Sequence, residues 1–189
     1  MYEQIKKTLS VKYIVTLVVI LSLVFGLALR FVCYPIFLLL TPEIQNRNMA
    51  NKVFKYLDSG EAEKFSELFC DAAQSDPNFQ SNIQAIFSYF DGDFTDESWE
   101  RIRDTNSFNY GKSIDYGKLT EMHWSTNYKD IVTTSGGSFT FYLSWYLIDD
   151  AHPEYEGIEA FTIQCTDDDV NNYVGILTSN VDPWAGIRY

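Results

Sequence analysis

A chain of 189 residues, 46% hydrophobic and 16% aromatic, supplies one folded core with something to spare, which excludes a disordered polymer. The net charge of −12 is uneven: residues 1–42 carry Lys6, Lys7, Lys12 and Arg30 against Glu3 alone, a net of +3, so the remainder carries −15. A domain that acidic repels phosphate backbones, which disfavours nucleic acid as a partner.

The surplus is at the N-terminus. "YIVTLVVILSLVFGLAL" (Tyr13–Leu29) has no charged residue, and after Arg30 "FVCYPIFLLL" (Phe31–Leu40) continues the apolar run. A bilayer core needs about 20 helical residues. A span that starts at Tyr13 and runs a few residues past Arg30 meets that length, with Arg30 snorkelling to the headgroups. Residues 13–40 therefore have the lipid bilayer as expected partner, and Pro35 kinks or ends the span. Gly26-Leu27-Ala28 loosely fits a signal-peptide cleavage site, but cleavage there would leave a second apolar decapeptide as the mature N-terminus. A lipoprotein signal fits poorly, because Val32 and Arg30 precede Cys33. An uncleaved signal anchor is the reading favoured. Lys6, Lys7 and Lys12 before the span put the N-terminus in the cytoplasm, although Arg47, Lys52 and Lys55 follow it. The chain then divides into a cytoplasmic N-terminus and anchor, 1–40, and an extracytoplasmic domain, 41–189.

The domain reads helices first. Thr41 and Pro42 supply a helix cap and first turn, Ala50, Val53, Phe54 and Leu57 form one apolar face, and Gly60 stops the helix. "EAEKFSELF" turns Ala62, Phe65, Leu68 and Phe69 inward. Asp76-Pro77 opens a third helix, striped by Phe79, Ile83, Ile86, Phe87 and Phe90 and closed by Gly92. From about residue 93 the period falls to two. "YGKLTEMHWSTNY" reads as a strand. "SFTFYLSWYLI" alternates strictly, with Phe139, Phe141, Leu143, Trp145 and Leu147 on one face and Thr140, Tyr142, Ser144, Tyr146 and Ile148 on the other. "EAFTIQC" and "NYVGILTS" are further strands; Gly136-Gly137, Asp149–Gly157 and Asp167–Asn172 separate them. The fold class is α+β: an N-terminal transmembrane helix, then three helices packed on a curved antiparallel sheet. Cys70 and Cys165 are the domain's only cysteines, and two buried free thiols are preferred to a disulfide.

The succession "VFKYLDSGEAEKFSELF", "NIQAIFSYFDGDF", "YGK" and the closing "WAGIRY" resembles an uncharacterised bacterial family, domain of unknown function 5104, over roughly residues 44–189. The resemblance implies the cone of the nuclear transport factor 2-like (cystatin-like) group and a secreted, often lipid-anchored protein. It brings no activity and no site residues. The anchor here stands in place of a lipobox. The resemblance also makes "WAGIRY" the end of the domain, with Trp184 and Ile187 packed on the sheet and Gly186 allowing a close turn.

The chemistry is sparse. "DGDFTDE" (Asp91–Glu97) starts like a calcium loop but puts Asp96 where glycine is needed and Ile102 where glutamate is needed. "TDDDVNN" reads as a hairpin turn, although its three carboxylates could hold a cation weakly, and His123, His152, Cys70 and Cys165 lack zinc spacing. No metal or cofactor is expected. His123, or Asp115 beside Tyr116, could serve as a general base, the alternative being a small cone-fold enzyme. The main expectation is non-catalytic binding of a small ligand, peptide or partner protein. Trp124, Trp145, Tyr142 and Tyr116 are the candidate ligand contacts, in a pocket between helices and sheet. A homodimer through the sheet is a further expectation.

Overall fold

The computed structural model describes residues 13, 15–26, 41–105, 107–166 and 173–178, and the chain divides into two compact units at Pro42. In the first, residues 15–26 are helical with exposed apolar side chains. Among the described residues no helix is long and apolar enough to cross a membrane; residues 27–40 of the apolar run lie outside them.

The second unit is α+β. Helix α1 (Pro42–Asp58) buries Asn46, Ala50, Val53, Phe54 and Leu57. It ends as its glycine requires. Gly60 has φ +69, its N–H donates to Leu57 O and the Glu61 N–H donates to Tyr56 O, so the last carbonyls are satisfied. Two short helices follow, α2 (Ala62–Ser66) and α3 (Asp71–Gln74), the second capped by Cys70 Sγ accepting from the Ala73 N–H. Helix α4 (Phe79–Tyr89) buries Phe79, Ile83 and Ile86. It starts later than Asp76-Pro77 because Asp76 Oδ1 accepts the Asn78 N–H at 2.7 Å and holds a turn there.

Three helices were expected, and the described residues of the domain form five. Besides the single-turn α3, the structure adds α5 (Asp96–Asp104) where period two was expected to begin. Thr95 Oγ1 accepts the Ser98 N–H, Asp96 and Glu97 stand in the first turn, and Arg101 and Arg103 in the last, each matched to the helix dipole. Only Ser98 and Ile102 of this helix are buried, too few apolar positions for a 3.6-residue period to show.

The sheet is a five-stranded antiparallel meander, β1 (Phe108–Asp115), β2 (Lys118–Val132), β3 (Ser138–Asp149), β4 (Gly157–Cys165) and β5 (Val174–Leu177), in that order across the sheet. Strand β1 was not expected. It pairs with β2 through a two-residue turn at Tyr116 (φ 46) and Gly117 (φ 80), so β2 begins at Lys118 rather than within that turn. Register slips between Met122 and His123, between Tyr128 and Ile131, and between Ser144 and Trp145 bend the strands.

One sheet face packs on the helices. Phe54 makes edge-to-face contacts with Phe94, Tyr128 and Phe141, and Phe65 does so with Phe69, Phe87 and Phe161. On β3 the expected inward residues Phe139, Phe141, Leu143 and Trp145 are buried; Leu147, the extra residue of the slip opposite Met122 and His123, is half-buried. Cys70 and Cys165 are free: Cys70 N bonds Ile158 O, and Cys165 lies seven residues further along β4, roughly 20 Å away. The expected turn at Asp167–Asn172 and the closing Trp184, Gly186 and Ile187 lie outside the described residues.

Candidate functional site

The expected ligand contacts separate into three places. Trp124 and Trp145 face the helices from adjacent positions of β2 and β3. Their rings stack at 4.2 Å and 6°, with exposures of 0% and 2%, so they are surrounded by the core. A polar network crosses this layer. Trp145 Nε1–H donates to Asn46 Oδ1 at 3.4 Å, Asn46 Nδ2 donates to Thr126 Oγ1 at 3.2 Å, and the Thr126 hydroxyl returns to Asn46 Oδ1. Burial pushes the nearby Tyr128 phenol well above its ordinary pKa, against hydrogen bonds with Thr126 and Asn46 that lower it. These groups tie α1 to the sheet.

Tyr116 and Asp115 sit at the β1–β2 turn, both exposed, Tyr116 completely so. They are not brought together with His123, which lies six residues up β2 from that turn.

The opposite sheet face holds a cluster of titratable side chains. His123 Nδ1 is 3.0 Å from Glu121 Oε1, a carboxylate two residues away on the same face. The imidazole is about one-third exposed and lies 5.2 Å from the Tyr146 ring. It rests over Gly111 of β1, where a Cβ would collide with Cε1 and Nε2 of the ring; glycine is required there by close approach. Ser144 Oγ donates to Glu159 Oε1 at 2.7 Å. Burial, the largest cause, pushes the Glu159 carboxyl up, partly offset by the Ser144 hydrogen bond and by His123. Burial also raises the Tyr146 phenol to about 12, reinforced by Glu159, Glu121 and Asp149. Tyr142 is on this face, between Asn127 and Thr162 in the strand register. Asn127 Oδ1 and Thr162 Oγ1 are buried without a hydrogen-bond partner.

Glu121, Ser144, Tyr146 and Glu159 were not picked out from sequence. Alternation alone puts Glu121 beside His123, and Ser144 and Tyr146 beside each other. Glu159 carries no such signal: it is the extra residue of the slip at which Ser144 pairs Ala160 and Trp145 pairs Ile158.

A cleft of about 210 Å³ lies elsewhere, between α3, α4, Tyr155 and β5. Phe79 and Ile176 give it an apolar floor, and Asp76, Asn82, Tyr155 and Thr178 bring polar groups. The Thr178 hydroxyl is buried there without a partner. The Asp91–Phe94 segment, read against a calcium loop, is held by the β2–β3 turn: Ser135 Oγ donates to Asp91 O, and the Thr134 N–H donates to Asp93 O.

Residues 52–177, most of the helices and all five strands, match the family described as Domain of unknown function (DUF5104). The chain belongs to this family. No curated protein matches the chain. The family match takes in His123, Glu121, Tyr146 and Glu159, and all of the cleft but Thr178.

Proposed function

We propose that this DUF5104 protein is a membrane-anchored, extracytoplasmic bacterial domain that binds a small ligand without transforming it. The anchor reading rests on the uncharged run from Tyr13 to Leu29 and its continuation from Phe31 to Leu40, behind Lys6, Lys7 and Lys12. The cone reading, nuclear transport factor 2-like, is supported by a long first helix laid against a meander bent by register slips.

The observation that carries the binding reading is the α3–α4–β5 cleft. It combines an apolar floor with several polar groups, and its Thr178 hydroxyl lacks a partner that a ligand would supply. The stacked tryptophans, by contrast, have no free face for a ligand. Native mass spectrometry of the full chain, purified gently from its own host, tests this. The expected result is a small added mass lost on denaturation, and lost when Asn82→Trp fills the cleft. A bare wild-type chain would sink the small-ligand reading.

A second reading is favoured by the His123–Glu121 pair. A carboxylate on Nδ1 fixes the imidazole and leaves Nε2 to act as a general base. On that reading His123→Ala abolishes turnover of a substrate found by screening, while the fold persists.

A further inference from the structure

The two edges of the sheet differ. Strand β5 is four residues long, a short edge of the kind that resists further pairing. Strand β1 is eight residues long, stands at the end of the strand order, and contains neither proline nor a bulged residue of its own. The slip opposite Ser113 and Ile114 is absorbed by Thr120 of β2, because Ser113 pairs Glu121 and Ile114 pairs Leu119. Asn109, Lys112, Ser113, Ile114 and Asp115 are exposed, Ile114 at 50%. Among the described residues, a row of backbone donors and acceptors on this edge is not matched by another strand.

We infer that β1 pairs antiparallel with β1 of a second copy of this chain, about a two-fold axis at Gly111. Such an axis, perpendicular to the sheet, keeps each face continuous and requires opposed residues of equal parity. With Gly111 opposite Gly111, Phe108 meets Ile114, Tyr110 meets Lys112 and Asn109 meets Ser113. These are an apolar pair, a cation beside an aromatic ring and a hydrogen-bonding pair, each of a stabilising kind. The exposed Ile114 is covered twice by symmetry. Lys112 and Asp115 cancel within the strand, so two copies approach through a neutral segment of a domain that otherwise carries −15.

His123 fits the same axis. A glycine at the centre of a strand pair leaves a gap, and an aromatic ring from a neighbouring strand fills it. The His123 ring occupies the place where a Gly111 Cβ would stand. Opposed residues of an antiparallel pair have that place about 4.5–5.5 Å apart. The two imidazoles therefore come within stacking distance across the axis, and neither glycine is left bare.

The test uses the full chain in detergent, with Cys33→Ser and Cys165→Ser as background. Asn109→Cys and Ser113→Cys proteins are oxidised separately and as a mixture. The mixture is expected to form a disulfide-linked dimer at least ten times faster than either alone, since only it opposes the two thiols within reach. In sedimentation, Ile114→Lys is expected to weaken the dimer at least tenfold. A chain that sediments as a monomer at micromolar concentration, or a dimer indifferent to Ile114→Lys with no preferred cross-link in the mixture, overturns the inference. Neither readout depends on the cleft, so a ligand-free protein would leave it standing.

Discussion

The two faces of one sheet, built from alternate residues of the same strands, are held in different ways. On the helix side Trp124, Trp145, Phe141 and Phe161 are at most 2% exposed, and the polar network around Asn46 is shut away from water. On the other side His123, Glu121 and Tyr146 are part-exposed, and their contacts are hydrogen bonds and ring edges. The helix-side face has the packing that sets stability, and no water access for chemistry. The opposite face has titratable groups with perturbed environments, the usual mark of chemistry or recognition.

The sharpest way to break that contrast is truncation on each side. Trp145→Ala is expected to cost about 3–5 kcal/mol in urea denaturation, because it leaves a cavity and strips Asn46 of one of its two donors. His123→Ala is expected to cost less than about 1 kcal/mol. Equal losses would mean that the two faces are not distinct. Next in size, Asn46→Ala leaves the Trp145 N–H and the Thr126 hydroxyl buried without their partner. A cost of about 1–3 kcal/mol is expected, larger than its small loss of apolar volume would produce.

Gly111→Ala sharpens the comparison from the other side. Its methyl must displace His123, at a cost of about 1–3 kcal/mol, and the cost should largely vanish when His123→Ala is added. An additive double-mutant cycle would remove the close approach as the reason for glycine.

The smallest effects are electrostatic. Glu159 has its folded pKa raised, so the folded state holds the proton more tightly than the unfolded chain. Its contribution is fully present below the unfolded carboxylate pKa and is lost as pH rises through the raised folded value. Glu159→Gln keeps the Ser144 hydrogen bond, so it should flatten stability over that window and give a small gain at neutral pH. The same variant should lower the late Tyr146 titration from about 12, followed by ultraviolet absorbance, since Glu159 is the largest of the charges that raise it. An unmoved titration would remove Glu159 from the causes of that rise.

Much of the fold was legible in the residues. Apolar positions three and four apart marked α1 and α4, and strict alternation marked β3, because both elements bury a continuous face and burial imposes their periods. Helix α5 escaped because it touches the core only through Ser98, Ile102 and the edge of Trp99 against Phe94, and what announces it is its termini, Thr95 with Asp96 and Glu97 at one end and Arg101 with Arg103 at the other. Strand β1 escaped because an edge strand with one half-covered face has no clean alternation; its burial runs from half-buried at Phe108 to exposed at Asp115.

The sequence by itself determined the α+β class, the charge asymmetry and the inward face of β3, since these follow from composition and local periodicity; the family followed from the resemblance of its motifs. Only the tertiary structure decided that Trp124 and Trp145 stack in the core, that Asp115 and His123 stand apart, and that Glu159 joins Ser144. Each depends on register between strands distant in the chain. A one-residue slip moves a side chain to the other face of a sheet, and no local pattern records where the slip occurs.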